Sequence, residues 1–283
     1  MHSLQSLLVT PGQIRGSFRV RDLSYLEARN GNPYLRLLME DMSGSVFAYA
    51  WQEEIYKELY LPDYSLAFVE GQSRFFDNEM RVDLRTIQHL NTKRAGEVVR
   101  LIPQSICPLS WLLRDLEAAL YRITIPTLQA FVTGVLSEDG IAFAFVSAPA
   151  SLNHHHSYPG GLLMHSLECF SMVEKHREFR RESFELGLVA ALFHDIGKIM
   201  TMTCDMQRTS LGYGFDHDKL TLEVLAPYLK RLDKDWAEGA RELRYLLTWK
   251  LNQRVPRYDM ADLVTCCDRI STGLDRQKQR AIG

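Results

Sequence analysis

The spacing of apolar residues changes near residue 95, and this change restricts the fold more than any other feature of the sequence. Residues 12–90 contain five short runs that are rich in β-branched and aromatic residues and are separated by turn signals such as RNGNP, MSG and DNE. Between the third and fourth runs, QEEIYKELYL has helical spacing and places Ile55 and Leu59 on one face. The first part of the chain is therefore predicted to be β structure with one short helix.

From about residue 96 onward, apolar residues recur at i, i+3, i+4 and i+7, which is the spacing of amphipathic helices. The pattern extends from SWLLRDLEAALYRI to ADLVTCCDRISTG, and Pro108 and Pro126 stand at plausible helix starts, where a missing N–H costs little. This part is predicted to be all-α. The boundary is placed in NTKRAGEVV at 91–99, a polar segment between the two patterns.

Five strands with a helix between the third and the fourth follow the order of an OB-fold, a small and partly open barrel. The predicted fold class is multidomain α and β, with an OB-fold barrel over residues 1–95 and an all-α domain over residues 96–283. OB-folds that bind single strands combine arginines with aromatic faces on which bases stack. We predict nucleic-acid binding through a mixed set of strand residues, namely Arg19, Arg21, Tyr34, Arg36, Trp51, Arg81 and Arg85.

Composition narrows the class of protein. With 46% hydrophobic and 24% charged residues, the chain is expected to be globular, and a net charge of −2 gives no global field for nucleic acid. No apolar run approaches the ~18–20 residues that span a bilayer, and MHSLQSLLVTPGQ is a poor signal peptide. The five cysteines form no CxxC pair, which is typical of reduced thiols. We expect a cytoplasmic protein without a membrane partner.

The motif ALFHDIGK at 191–198 carries the strongest chemical signal. His194 and Asp195 close an apolar helical run and are followed by Gly197 and Lys198. Burying a histidine and an aspartate side by side is costly unless they have a partner. A divalent metal is one such partner, because imidazole nitrogen and carboxylate oxygen are both suitable ligands. A salt-bridged or helix-capping pair is the alternative.

Two further residues lie on separate predicted helices and could converge on the same ion. His165 follows the turn Pro159-Gly160-Gly161, and Asp268 lies in the last long helix. With GGLLMHS, ALFHDIGK and the late aspartate in this order, residues 145–275 resemble the HD-domain superfamily of metal-dependent phosphohydrolases. The resemblance implies four metal ligands, which are His165, His194, Asp195 and Asp268.

A more specific resemblance includes both predicted parts of the chain. A predicted OB-fold followed by APAS, NHHHSYPGGLLMHSL and LFHDIGK is similar to the YhaM-type 3′-to-5′ exoribonucleases, which join the same two modules in this order. HD regions of some relaxase and mobile-element proteins carry a related PGGLLxHS-like segment. The resemblance implies a divalent cofactor, with Mn²⁺ favoured and Fe²⁺, Mg²⁺, Ni²⁺ and Zn²⁺ as alternatives, and a single-stranded RNA or DNA substrate. A homo-oligomer is a further expectation.

The sequence departs from the two-metal members of that superfamily, which supply additional histidines between the His-Asp pair and the final aspartate. His217 is the one histidine in this interval, and LLTWKLNQ stands where another ligand is expected. One ion firmly held, or a weak second ion held through Asp195, His217 and waters, fits better. A solvated loop histidine is the alternative for His217.

Several residues are candidates for substrate handling. Lys198 would direct its ammonium at the phosphate, and Asp195 and Lys198 form the predicted catalytic pair; a lysine that offsets the helix dipole is the alternative. N–H groups at the helix start after Gly160 and Gly161 could hold a phosphate, unless the glycines simply form a turn. By resemblance, His155 and His156 match the family's HH pair and suit substrate binding at the mouth of the site, with a polar loop as the alternative.

Three functions are consistent with these patterns. The first is a metal-dependent phosphodiesterase that hydrolyses single-stranded nucleic acid as a 3′-to-5′ exonuclease, with metal-activated water as the nucleophile. The second is a nucleotide phosphohydrolase. The third is a non-catalytic nucleic-acid-binding protein with a reduced HD site, which the missing later histidines would favour.

Overall fold

A computed structural model describes residues 4–5, 10–57, 65–90, 92, 94–251 and 255–282. Contacts divide the chain into two compact units. One comprises Met1–Thr92 and Glu97–Ser105, and the other comprises Lys93–Gly96 and Ile106–Gly283. The predicted boundary between residues 95 and 96 falls within this interleaved stretch and stays a prediction.

The first unit is a closed barrel of five strands in the order β1-β2-β3-β5-β4, in which β3 and β5 run parallel and the other neighbours run antiparallel. The elements are β1 (Gln13–Glu27), β2 (Pro33–Asp41), β3 (Gly44–Ala50), α1 (Glu53–Tyr56), β4 (Ser65–Phe76) and β5 (Glu79–His89). This is the OB-fold order, with α1 between the third and fourth strands, so the predicted fold of this part is confirmed. Leu59 lies outside the described residues.

Alternation along the strands separates the barrel core from its outer face. Leu35, Leu37 and Met39 on β2 are fully buried, and they pack with Ala48 and Val82 from the neighbouring strands. The residues between them point outward, because successive side chains of a strand lie on opposite faces. Core and outer surface are thereby built from different residues of the same strands.

The second unit is helical, as predicted. Its helices are α2 (Ala95–Val99, which crosses the division between the units), α3 (Leu112–Leu120), α4 (Pro126–Ser137), α5 (Asp139–Ser147), α6 (Gly161–Val173), α7 (Arg181–Phe193), α8 (Lys198–Thr201), α9 (Ser210–Gly214), α10 (His217–Asp235), α11 (Ala237–Thr248) and α12 (Asp259–Ile282). Among the described residues no single helix has the length and apolarity to cross a membrane, although α4 and α5, bent by 84°, meet the criteria of length and composition as a pair.

Three helices, α6, α7 and α12, pack against one another and position the site. The second half of α7 is buried on every side, from Leu186 to Phe193. Gly187 permits the close approach of α12, because a Cβ at this position would lie 2.3 Å from the sulfur of Met260. The end of α7 is therefore held against the middle of α6 and the first half of α12.

Candidate metal centre and nucleic-acid surface

His165 from α6, His194 and Asp195 after α7, and Asp268 from α12 bring four ligand-type atoms together. The Nε2 atom of His165 lies 3.2 Å from Nε2 of His194, 3.5 Å from Oδ2 of Asp195 and 3.2 Å from Oδ1 of Asp268. Nε2 of His194 lies 3.5 Å and 3.7 Å from the same two carboxylate oxygens. We call these four residues the first cluster.

Hydrogen bonds fix the tautomers of both histidines. Nδ1 of His194 donates to the carbonyl of Ala191 at 2.9 Å, which leaves a lone pair on Nε2. The Ser271 hydroxyl donates its proton to Glu168 at 2.6 Å, so it must accept from Nδ1–H of His165 at 2.9 Å. In the neutral rings both Nε2 atoms are therefore unprotonated, and they lie 3.2 Å apart. This arrangement is repulsive unless a proton or a metal ion lies between them.

The spacing of the first cluster fits a divalent ion. Adjacent ligand atoms that lie ~2.0–2.2 Å from a common tetrahedral or octahedral centre are separated by ~2.8–3.6 Å. Among the pairs that involve a histidine, the donor atoms here are 3.2–3.7 Å apart. Cys169 also lies 3.9 Å from Nε2 of His165, but burial raises the pKa of its thiol, which disfavours the thiolate that would bind metal.

The protonation of the cluster agrees with a site built for positive charge. Burial raises the pKa of Asp195, but the Lys198 ammonium and His194 outweigh it and hold this pKa well below its ordinary value. The pKa of Asp268 is also lowered: burial raises it, but the contacts with His165 and His194 outweigh burial. Burial lowers the pKa of His165, yet hydrogen bonds to the two aspartates raise it well above its ordinary value. Without a metal ion, the cluster therefore retains a proton.

A second cluster shares Asp195 with the first. The other carboxylate oxygen of Asp195, Oδ1, lies 3.1 Å from Nε2 of His217, which in turn lies 3.4 Å from Oδ1 of Asp218. We call Asp195, His217 and Asp218 the second cluster. Asp218 was not predicted as a ligand, although its position beside His217 at the start of α10 was the available signal. His217 is placed at the site, and its role as a ligand stays a prediction.

Gly197 allows the two clusters to meet. A Cβ at this position would lie 2.1 Å from the carbonyl oxygen of His217 and 2.6 Å from the backbone nitrogen of Thr221. The N–H of Gly197 also donates to the Thr221 hydroxyl at 3.2 Å. The glycine of the HDIG motif therefore permits the close approach of the turn after α7 to the start of α10.

Lys198 lies in a new helix rather than in a continuation of α7, since α7 ends at Phe193 and a turn separates it from α8. Its side chain is buried, and its ammonium donates a hydrogen bond to Oδ2 of Asp195. This carboxylate, rather than the terminal carbonyls of α7, holds the charge of Lys198. The predicted contact with a phosphate stays a prediction.

A cavity of about 350 Å³ opens onto both clusters. Its wall includes His155, Lys198, Lys250 and Arg269 in addition to ligand-type residues. Both ring nitrogens of His155 are shielded from solvent and have no hydrogen-bond partner among the described residues. Burial, followed by the nearby Lys198, lowers the pKa of His155 to about 4. A neutral histidine with unsatisfied nitrogens suits the predicted substrate role, which stays a prediction.

The structure contradicts three of the predicted substrate contacts. His156 is 1% exposed and binds Glu168 at 3.1 Å, so the loop turns its ring into the interior rather than to the mouth. The N–H groups of Gly160, Gly161 and Leu162 all donate to backbone carbonyls, which leaves none of these three for a phosphate. The glycines form a turn: Gly160 has φ +81, and a Cβ on Gly161 would lie 2.1 Å from the carbonyl of His156.

Arginine and aromatic side chains meet on the outer face of the barrel. The rings of Tyr49 and Trp51 are stacked at 5.5 Å between centroids, and that of Tyr34 lies 4.8 Å from Trp51. The Arg81 guanidinium lies over Trp51 at 5.7 Å, and that of Arg36 lies over Phe47 at 5.1 Å. We call these residues the aromatic face, and most of them line a surface cavity of about 650 Å³.

Four of the predicted barrel contacts, Tyr34, Arg36, Trp51 and Arg81, belong to the aromatic face. Tyr49 and Phe47 are not among the predicted contacts, although both alternate with the buried residues of β3. Both stay candidates for nucleic-acid contact.

The other three predicted barrel contacts are Arg19, Arg21 and Arg85, and they lie in different environments. Arg19 is 1% exposed, and burial lowers its pKa to about 10; a contact with nucleic acid is therefore wrong for this residue. Arg21 binds both carboxylate oxygens of Glu40, at 2.9 Å and 3.0 Å, which offsets its charge. Arg85 is exposed on β5. Contacts of Arg21 and Arg85 with nucleic acid stay predictions.

The chain combines an OB-fold barrel with a helical unit that carries a candidate metal site. Comparisons with known proteins agree with this combination. No family model matches the chain. The chain is similar to proteins named 3′-5′ exoribonuclease YhaM: it is 19% identical to that of Bacillus velezensis over 83% of this chain and 75% of the relative. It is 19% identical to the Bacillus subtilis protein over 62% of this chain and 56% of the relative. It is 21% identical to the Listeria innocua protein over 75% of this chain and 68% of the relative.

These matches confirm the predicted resemblance and support a nuclease function. They span 56% to 75% of the relatives' own lengths, so the finer activity of this chain is a matter for proposal. A chain of a replication protein A heterotrimer bound to single-stranded DNA matches 29% of this chain at 20% identity and a TM-score of 0.24, a similarity too low to support an argument.

Proposed function

We propose that the chain is a metal-dependent phosphodiesterase that removes nucleotides from the 3′ end of single-stranded nucleic acid. The observation that carries the proposal is the pair of Nε2 atoms of His165 and His194, which lie 3.2 Å apart beside two carboxylates. The similarity to proteins named 3′-5′ exoribonuclease supports the polarity and the substrate class.

His165, His194, Asp195 and Asp268 would hold the ion. A bound divalent ion supplies Lewis-acid chemistry, lowering the pKa of water and offsetting charge on a phosphoryl oxygen. Ser271 and Glu168 keep the proton of His165 on Nδ1, so that Nε2 stays available as a ligand. Histidine ligands commonly need a partner of this kind, because either ring nitrogen of a neutral imidazole can carry the proton.

Cationic and neutral donors around the cavity would bind the phosphodiester. Lys198 holds Asp195 in place and adds positive charge next to the cluster. Arg269 lines the same cavity and can form two parallel hydrogen bonds to a phosphate. His155, whose pKa of about 4 keeps it neutral at pH 7, carries one ring N–H that can donate to a phosphoryl oxygen.

The aromatic face would bind the strand by stacking. A base stacked on an aromatic side chain contributes ~1–3 kcal/mol, with little dependence on sequence. Trp51 is held in a fixed orientation for this purpose, because its indole N–H donates to Asp83 at 2.6 Å. Arg36 and Arg81 supply the adjacent positive charge.

The test uses single-stranded RNA and DNA oligonucleotides labelled at either end, with the Mn²⁺-loaded protein. We expect the 5′-labelled strand to shorten stepwise and the 3′-labelled strand to release labelled mononucleotide first. Asp195→Ala should remove this activity, and free nucleotides should be poor substrates. Turnover of nucleotides alone would indicate a nucleotide phosphohydrolase. Binding without turnover of any substrate would leave a nucleic-acid-binding protein, and full activity of Asp195→Ala would refute the metal mechanism.

A further inference from the structure

An exposed lysine binds the one carboxylate of the second cluster that the first cluster does not share. Nζ of Lys250 lies 2.7 Å from Oδ1 of Asp218, the oxygen that also lies 3.4 Å from Nε2 of His217. Histidine and carboxylate atoms are otherwise spaced here as in the first cluster, at 3.1 Å and 3.4 Å. In geometry, the second cluster is thus a set of possible ligands with an ammonium group already bound to one of them.

Neighbouring contacts fix the backbone from which Lys250 extends. Trp249, the residue that caps α11, stacks on Tyr245 with ring centroids 5.2 Å apart. Its indole N–H donates to Asp262 on α12 at 2.7 Å. Lys250 follows directly, so its side chain starts from an anchored position beside the cavity. The ion pair with Asp218 therefore requires the ordering of one side chain and not of a loop.

The cavity has little negative charge available to offset a second divalent ion. Three carboxylates line it, those of Asp195, Asp218 and Asp268. An ion in the first cluster would use the charge of Asp268 and share that of Asp195 with Lys198. The remaining carboxylate, Asp218, carries Lys250. A second dication would have to enter beside the first ion and two ammonium groups, with no carboxylate left to offset its charge.

We propose that Lys250 takes the place of a second divalent ion. Its ammonium neutralises Asp218, limits the centre to one metal ion per chain and presents a cationic hydrogen-bond donor to the cavity beside Asp218. The inference rests on the proposed metal centre and adds to it the number of ions and the identity of the second cationic group. Lys250 acts here through charge, so arginine should replace it and an apolar residue of similar length should not.

The test measures metal bound per chain by elemental mass spectrometry after equilibration with Mn²⁺ and desalting. Wild type and Lys250→Arg should bind about one ion, and Lys250→Met should bind about two. Lys219→Met is the matched control: this exposed lysine also adjoins Asp218 in sequence but does not line the cavity, so about one ion is expected. Adding Asp218→Asn to Lys250→Met should return the content to about one ion.

Electron paramagnetic resonance provides a second readout, because two Mn²⁺ ions that share the Asp195 carboxylate should be magnetically coupled in Lys250→Met and not in wild type. One uncoupled ion in both proteins would overturn the inference while leaving the metal centre intact. Two ions in wild type would overturn it as well. A wild type that binds no ion would refute the metal centre together with this inference.

Discussion

The candidate metal centre and the aromatic face differ in burial: the first is largely buried and the second is partly exposed. The first cluster is largely buried at the end of a hydrophobic helix, and each histidine depends on a specific hydrogen-bond partner. The aromatic face lies outside a barrel whose core is made by the alternate residues of the same strands. A change in the first region should therefore alter several coupled groups, whereas a change in the second should subtract one contact. Four predictions test this difference.

The largest effect is expected for Asp268→Asn, which keeps the shape of the side chain and removes a charge from the first cluster. Loss of several kcal/mol of transition-state stabilisation should lower kcat/KM for a single-stranded oligonucleotide by ~10²–10⁴-fold. Affinity for the same oligonucleotide in metal-free buffer should stay unchanged, because the aromatic face is untouched. A parallel loss of affinity, measured by fluorescence anisotropy, would contradict the independence of the two regions.

Ser271→Ala should weaken metal binding without removing a ligand. It takes away the acceptor that holds the proton of His165 on Nδ1, and loss of such a partner typically lowers metal affinity by ~10–100-fold. Titration with Mn²⁺ by calorimetry measures the change. Glu168→Gln should act in the same direction, because it weakens the acceptor of the Ser271 hydroxyl. Wild-type affinity in both variants would show that the tautomer of His165 does not need this support.

Trp51→Ala should weaken the binding of single-stranded oligonucleotides by ~1–3 kcal/mol, the contribution of one stacked base. Hydrolysis of a small chromogenic phosphodiester should be unaffected. Trp111→Ala is the control, since Trp111 is an exposed tryptophan on the other unit and lies outside the aromatic face. Equal losses for both variants would mean that the aromatic face has no special part in binding.

The smallest effect concerns pH. In the metal-free protein His165 has a raised pKa, so its contribution to stability is complete below its unfolded value of about 6.5 and is lost as pH rises through the folded pKa. Mn²⁺ and the proton compete for Nε2, so metal affinity should rise over the same interval. Thermal unfolding with and without Mn²⁺ between pH 6 and 9 measures both. His165→Asn should remove the pH dependence, and a stability that instead rises with pH in the metal-free protein would contradict this assignment.

Most of the barrel could be predicted because strand alternation is local. The order of the runs in residues 12–90 and the helix after the third run are sufficient to predict the OB-fold. The orientation of individual arginines was harder. Arg19 shares its side of β1 with the exposed Arg15, yet it is buried beside Glu40 of the neighbouring strand. The burial of Arg19 depends on tertiary packing over this part of the strand, and strand alternation does not predict that packing.

The helical unit shows the same division. His165, His194, Asp195 and Asp268 could be selected from their order along the chain, and the structure brings them together. His156 lies only one residue from His155, but its side chain is turned inward. Its backbone has φ of +46, which no sequence pattern predicted.

By itself, the sequence determined the two kinds of secondary structure, their order and the residue types able to hold a metal ion, because these depend on periodicity and motifs within short windows. Only the tertiary structure decided which groups support and complete the site. Ser271 reaches His165 across 106 residues, and Lys250 reaches Asp218 from the end of another helix. Such contacts depend on how helices pack, and packing is set by the summed burial of many side chains rather than by the few residues that carry the chemistry.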